Sequence, residues 1–293
     1  MDKSIARDRC SQAGWVPLIY YFLMSASVSL IGIFAPEQGI YDGWGYLLAA
    51  AIAFVVVIHW QRPKFPFKEF WKRNRQILPT NAVLILCAAV SCQVFFQLLC
   101  ALWESAFGTQ VIDSMAQVAT AQRDVGMLLY IGIAAPVFEE ILFRGFVMRV
   151  LRPYGKCFAI MASAFLFGIF HEHILQSPFA FAMGLILGYT AVEFSLKWAI
   201  AVHMINNLVL GIGFTYLSDW IGPEIANWIY TALIYGCTLI AVTMVFCKCS
   251  ALLKYWRESD RQKFSLRCFL TAPGILLLTA LMVGSIALSI FAI

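Results

Sequence analysis

The run Glu139-Glu140-Ile141-Leu142-Phe143-Arg144 sets two carboxylates and a guanidinium inside a stretch that is otherwise apolar from Gly126 to Val147. An ionisable group within a bilayer costs a few kcal/mol, so its default reading is a functional site. Three of the four histidines, His171, His173 and His203, fall in the hydrophobic segments that follow. A carboxylate and an imidazole sharing a buried water can serve as general base and proton shuttle. A second imidazole and an amide N–H are suitable donors to a developing oxyanion. Together these are the parts of an amide hydrolase that needs no serine or cysteine nucleophile.

Helical spacing sorts these groups. Residues four apart share a face, whereas neighbours diverge by about 100°. Glu140 and Arg144 are therefore expected to pair and neutralise each other, which leaves Glu139 to face a cavity. Phe167 and His171 share a face in the next span, and His203 and Asn207 in a later one, with Asn206 at its edge. His173 lies about 200° from His171, so it and Glu172 are expected at the outer interface. A single membrane polar group often staples two helices for about 1 kcal/mol. Four of them, Glu139, His171, His203 and Asn207, on three spans make a converging site the better account.

The same side chains could hold zinc, with Glu139, His171 and His203 as the three ligands. No H-E-x-x-H occurs, the histidines of His171-Glu172-His173 are two apart, and an amide and an arginine suit zinc poorly. The expectation is that no cofactor is needed, zinc being the minority reading.

These residues need a scaffold. With 61% hydrophobic and 13% charged residues among 293, and a mean hydropathy of +0.80, the chain is too apolar for a soluble globular domain. It reads as an all-α polytopic membrane protein of about eight to nine transmembrane helices, a single membrane domain over residues 1–293. The spans expected are Val16–Phe34, Trp44–His59, Asn81–Trp103, Gly126–Val147, Cys157–Ile174, Pro178–Phe194, Trp198–Leu217, Ala226–Phe246 and Cys268–Ala292. Nothing near Ala35 resembles a cleavage site, so the first span is expected to stay as a helix. Lys and Arg cluster in alternate connections, which predicts a cytoplasmic amino terminus and an outer carboxyl terminus. The net charge of +5 then faces anionic lipid and calls for no nucleic acid.

Finer features follow from the same rules. Pro136 lacks an N–H and should disturb the helix just before the acids, freeing the carbonyl of Gly132. Gly184 and Gly188 should let their helix pack closely behind the site. Glu193 and Lys197, four apart, read as an interfacial pair. The basic, aromatic stretch from Arg62 to Gln76 suits the headgroup layer, and residues 104–124 have the spacing of a short interfacial helix. The nine cysteines show no metal or disulfide spacing.

Glu139-Glu140-x-x-x-Arg144, Phe167-x-x-x-His171 and His203-x-x-x-Asn207 resemble the three successive motifs of the CPBP family of intramembrane proteases, the CAAX-protease and bacteriocin-processing, or Abi, family. The resemblance covers residues 126–217, a catalytic core of four spans. It implies a glutamate-dependent intramembrane endopeptidase. Glu139 matches the water-activating glutamate, His171 its assistant, and His203 with Asn207 the oxyanion pair, while Glu140, Arg144 and Phe167 match supporting positions. Family substrates range from prenylated carboxyl-terminal tails to leader peptides and membrane-protein segments, so the partners implied are a peptide or membrane-protein substrate and the bilayer. A bacterial plasma membrane is the expected setting. Two other classes remain open: a proton-coupled carrier, which also needs intramembrane ionisable groups, and a non-catalytic immunity or scaffold protein that keeps the fold.

Overall fold

In the computed structural model the described residues are 3–34, 43–61, 71–72, 74–108, 124–259 and 266–291. Among them the nine expected spans are helical, except that Cys157–Ile174 ends at Ile169 and Cys268–Ala292 is broken at Thr271 and Ala272, and the chain is an all-α polytopic membrane protein. The helices are α1 (Lys3–Phe34), α2 (Gly43–Gln61), α3 (Pro79–Phe107), α4 (Val125–Tyr154), α5 (Lys156–Ile169), α6 (Gln176–Glu193), α7 (Leu196–Ile221), α8 (Pro223–Ser259), the short α9 (Leu266–Leu270) and α10 (Pro273–Phe291). Seven of these, α1 to α4, α7, α8 and α10, are long and apolar enough to cross a membrane. At 14 residues, or about 21 Å, α5 is too short for a hydrocarbon layer of about 30 Å. The expectations at Ala35 and over residues 62–70, 73 and 109–123 lie outside the described residues.

Local sequence explains where the helices begin and end. Asp124 Oδ2 accepts from the Met127 N–H at 2.9 Å and caps α4, and Ser195 Oγ accepts from Trp198 N–H at 3.4 Å at the start of α7. Pro79 opens α3, where a missing N–H costs nothing. Gly155, at φ 130°, makes the reversal between α4 and α5 that a side chain would strain. Ser195 is extended, so the chain breaks between α6 and α7, and Glu193 and Lys197 do not share a helix face. Glu193 instead accepts from Lys156 Nζ at 3.2 Å and from the Tyr255 hydroxyl at 2.8 Å.

A hairpin of α5 and α6 lies at the centre, with α4 against it. Gly184 meets Ala164 and the Arg144 guanidinium so closely that an added Cβ would stand 3.0 Å from the former and 3.2 Å from the latter. Gly188 meets Ile160 in the same way. The expectation of close packing at these two glycines is met. Around this core α1 packs on α2, α4 and α10. Ser11 Oγ accepts from the Gly274 N–H at 2.9 Å, and Arg7 donates to the Thr271 carbonyl at 2.9 Å, tying the two ends of the chain together. Outward faces are apolar, as on Trp228, Leu239 and Phe246 of α8, each at least 70% exposed. Such faces suit a bilayer, where lipid chains are the solvent.

Gly184→Val is expected to force α5 and α6 apart and to lower stability by about 1–3 kcal/mol. Thermal unfolding in detergent measures this, and Gly236→Val, where an added Cβ meets nothing within 4 Å, is the control.

Candidate active site

The site is built on α4, which departs from regular α-helix twice. Residues Tyr130–Ala134 and Ile141–Val147 form wider π turns, and the α segment Ala135–Glu140 between them carries both glutamates. A third π segment, Asn206–Gly213, begins within the His203-x-x-x-Asn207 motif on α7. Interruptions of this kind cluster at functional sites, because the wider turn re-aims side chains and leaves backbone groups unpaired. Pro136 shows how. In the π register the Ala135 N–H bonds the Tyr130 carbonyl, so the carbonyl of Ile131 would await residue 136, which has no N–H. Asn207 Nδ2 donates to that carbonyl at 2.9 Å. The carbonyl that Asn207 takes is therefore Ile131's, one residue away from the expected Gly132, because the turn is π and not α.

Glu140 and Arg144 pair as expected, with Nη1 to Oε1 at 2.8 Å and both side chains fully buried. The guanidinium also donates to the Gly184 carbonyl at 3.3 Å and lies 4.2 Å above the centroid of the Phe167 ring. Phe167 is the common floor of the site. Its ring meets His171 edge-on at 4.7 Å, His203 at 5.7 Å and Phe143 at 5.3 Å.

His203 stands between the two glutamates. Its Nδ1 is 3.1 Å from Glu140 Oε1, and its Nε2 is 3.8 Å from Glu139 Oε2. An ion-paired carboxylate can only accept, so Nδ1 carries the proton and Nε2 is the nitrogen turned towards Glu139. Glu140 thus does more than neutralise Arg144, since it also fixes the ring and tautomer of His203. The Glu139 side chain retains 18% exposure beside its fully buried neighbour.

His171 lies beyond the end of α5, in the turn that follows, and not deep in a span. Its Nδ1 donates to the Phe167 carbonyl at 2.8 Å, which leaves Nε2 as the basic nitrogen. Glu172, in the same turn, adopts the left-handed conformation at φ 51° and accepts from the Tyr21 hydroxyl of α1 at 2.9 Å. His173 Nδ1 accepts from the N–H groups of Leu175 and Gln176 at 3.2 and 3.4 Å, capping α6. Glu172 and His173, expected at the outer interface, are the tether and cap of the turn that carries His171.

A chain of amides reaches the site from the far side. The Tyr230 hydroxyl donates to Gln93 Oε1 at 3.4 Å, Gln93 Nε2 to Asn206 Oδ1 at 3.2 Å, and Asn206 Nδ2 to Asn207 Oδ1 at 3.1 Å. Gln93, Tyr230 and Tyr21 are not among the residues that spacing and composition single out. Gln93 alone carried a signal, as an amide in the middle of the apolar span Asn81–Trp103. Among the described residues no three His, Cys, Asp or Glu side chains gather into a set that could hold a metal ion.

The architecture and site thus define a polytopic helical membrane protein with a buried carboxylate–imidazole–carboxylate centre. Residues 121–209 match the family model described as type II CAAX prenyl endopeptidase, Rce1-like, and the match spans every residue of the three motifs. It supports the CPBP, or CAAX-protease, family for this chain, and with it a membrane protease acting on a peptide. No curated protein and no solved structure matches the chain.

The buried pair and the freer carboxylate should separate on mutation. Arg144→Ala strands a buried charge and is expected to cost about 3–5 kcal/mol. Glu139→Gln breaks no short ion pair and should unfold near the wild-type temperature. Thermal unfolding of the purified variants decides this.

Proposed function

We propose that the chain is an intramembrane endopeptidase of the glutamic type, cleaving membrane-associated peptides or proteins by direct attack of water. The single observation that carries this reading is His203, held on Nδ1 by Glu140 and facing Glu139 through Nε2 across 3.8 Å. That gap is too long for a hydrogen bond and wide enough for one water bonded to both groups at about 2.8 Å.

In this reading Glu139 takes a proton from the water as its oxygen bonds to the scissile carbonyl carbon. The carbonyl electrons move to the oxygen, and the oxyanion meets the second N–H of the Asn207 amide and, on His203, an Nε2–H whose proton is taken up from water before the attack. Collapse restores the carbonyl and breaks the C–N bond, and the proton held by Glu139 passes to the departing amine. The products are a new carboxyl terminus and a new amino terminus. His171 offers Nε2 as a further acceptor for the water. Glu140, Arg144 and Phe167 keep the imidazoles oriented. The family description supports carboxyl-terminal, prenylated tails as the substrate class. The basic connections would face the cytoplasm, with the amino terminus on that side.

A general base contributes about 10²–10⁴-fold, so Glu139→Gln is expected to lose at least about 100-fold in kcat with an unchanged unfolding temperature. Undiminished cleavage would sink the proposal. Activity is also expected to survive strong chelation. A loss restored by added zinc would instead make Glu139, His171 and His203 metal ligands.

A further inference from the structure

Four hydrogen bonds run in a row from α8 through α3 and α7 to α4. The Tyr230 hydroxyl donates to Gln93 Oε1 at 3.4 Å, Gln93 Nε2 to Asn206 Oδ1 at 3.2 Å, Asn206 Nδ2 to Asn207 Oδ1 at 3.1 Å, and Asn207 Nδ2 to the Ile131 carbonyl at 2.9 Å. Polar side chains in a membrane bundle commonly do no more than staple helices together. Two properties set this row apart.

Its polarity runs one way. The last acceptor is a backbone carbonyl, which cannot donate, so Asn207 presents Nδ2 to it and Oδ1 to Asn206. Asn206 then presents Nδ2 to Asn207, and its own oxygen is left facing α3, where Gln93 supplies the N–H. Asn206 is buried, so without Gln93 that oxygen has no donor and the amide is held on one side only. The row also ends on an amide of the site itself. Ile131 takes one N–H of Asn207 and Asn206 holds its oxygen, so the amide plane is fixed from both sides and the second N–H has a single direction. Side chains of sequence neighbours diverge by about 100° on a regular α-helix. Asn206 and Asn207 nevertheless bond to each other, at the first two residues of the π segment Asn206–Gly213.

We infer that Gln93 is a positioning residue for hydrolysis, acting through Asn206 to keep the second N–H of Asn207 aimed at the developing oxyanion. The inference rests on the endopeptidase reading, in which Asn207 is an oxyanion donor. Such donors are effective because they are already in place when charge develops, and a donor that swings loses part of that effect. Gln93 and Tyr230 lie outside residues 121–209, which match the family model, so helices flanking the core complete the site.

The test follows cleavage of an S-farnesyl-cysteine peptide, with three residues after the cysteine, by the purified full chain in detergent. Asn207→Ala is expected to lower kcat about 100-fold or more, the usual loss for one oxyanion donor. Gln93→Met keeps the length of the side chain and removes its donor; kcat should fall about tenfold or more with KM unchanged, because the oxyanion exists only in the transition state. Tyr230→Phe, at the long 3.4 Å end of the row, should lower kcat by a smaller factor, and takes the place of Gln93→Met if that variant unfolds. The double variant Gln93→Met/Asn207→Ala is expected to keep the kcat of Asn207→Ala alone, since residues that act as a unit do not add. A loss in the double variant equal to the product of the two single losses overturns the inference and leaves Gln93 a staple between helices. A wild-type kcat in Gln93→Met, or a loss confined to KM, overturns it as well. Full activity of Asn207→Ala removes the proposed mechanism and the inference together, whereas its loss beside full activity of Gln93→Met ends the inference alone.

Discussion

Everything in this site hangs on one fully buried ion pair, Glu140 with Arg144, at 2.8 Å. Two charges cannot sit in a hydrophobic bundle unless each is matched, and a matched pair gains little stability over apolar packing. What it supplies is position. The carboxylate has one oxygen that accepts from both Arg144 and His203, so the imidazole is fixed in angle and tautomer. The guanidinium in turn lies on Phe167, whose ring also meets His171. One pair thus orients three helices relative to one another, and Glu139 is left as the less buried of the two carboxylates.

Close helix packing makes that arrangement possible. Gly184 brings α6 near enough for its carbonyl to accept from Arg144 at 3.3 Å. Ser163 of α5 donates to the Phe143 carbonyl at 2.9 Å, in the π segment where backbone groups need partners from outside the helix. The amide chain from Tyr230 through Gln93 and Asn206 gives Asn207 its orientation, while the Ile131 carbonyl receives the amide. Two carbonyls in these altered turns, those of Ile131 and Phe143, are answered from other helices, as the absence of water in a bilayer core favours.

Much of the site could be read without coordinates. The spacing of Glu140 and Arg144 predicts their contact because i and i+4 meet on almost any helix. His171 on Phe167 survives for a different reason: the turn after Ile169 keeps the ring beside the residue four before it. Glu193 and Lys197 obey the same spacing and fail, because Ser195 breaks the helix between them. The expected Gly132 carbonyl gives way to that of Ile131 because sequence spacing carries no mark of a π turn. Tyr21 lies 151 positions from Glu172, and nothing local to either residue links them.

The chain's composition and periodicity determined by themselves that it is a helical membrane protein, where its helices lie, and which few polar residues must matter. Those properties are local: burial in lipid and hydrogen bonding within one helix depend on neighbours in sequence. Only the tertiary structure decided which groups face one another. His203 came to rest between Glu140 and Glu139, and Asn207 on the Ile131 carbonyl. Such contacts depend on where separate helices cross and how their turns are phased, and close packing at Gly184, Phe167 and the π segments sets both.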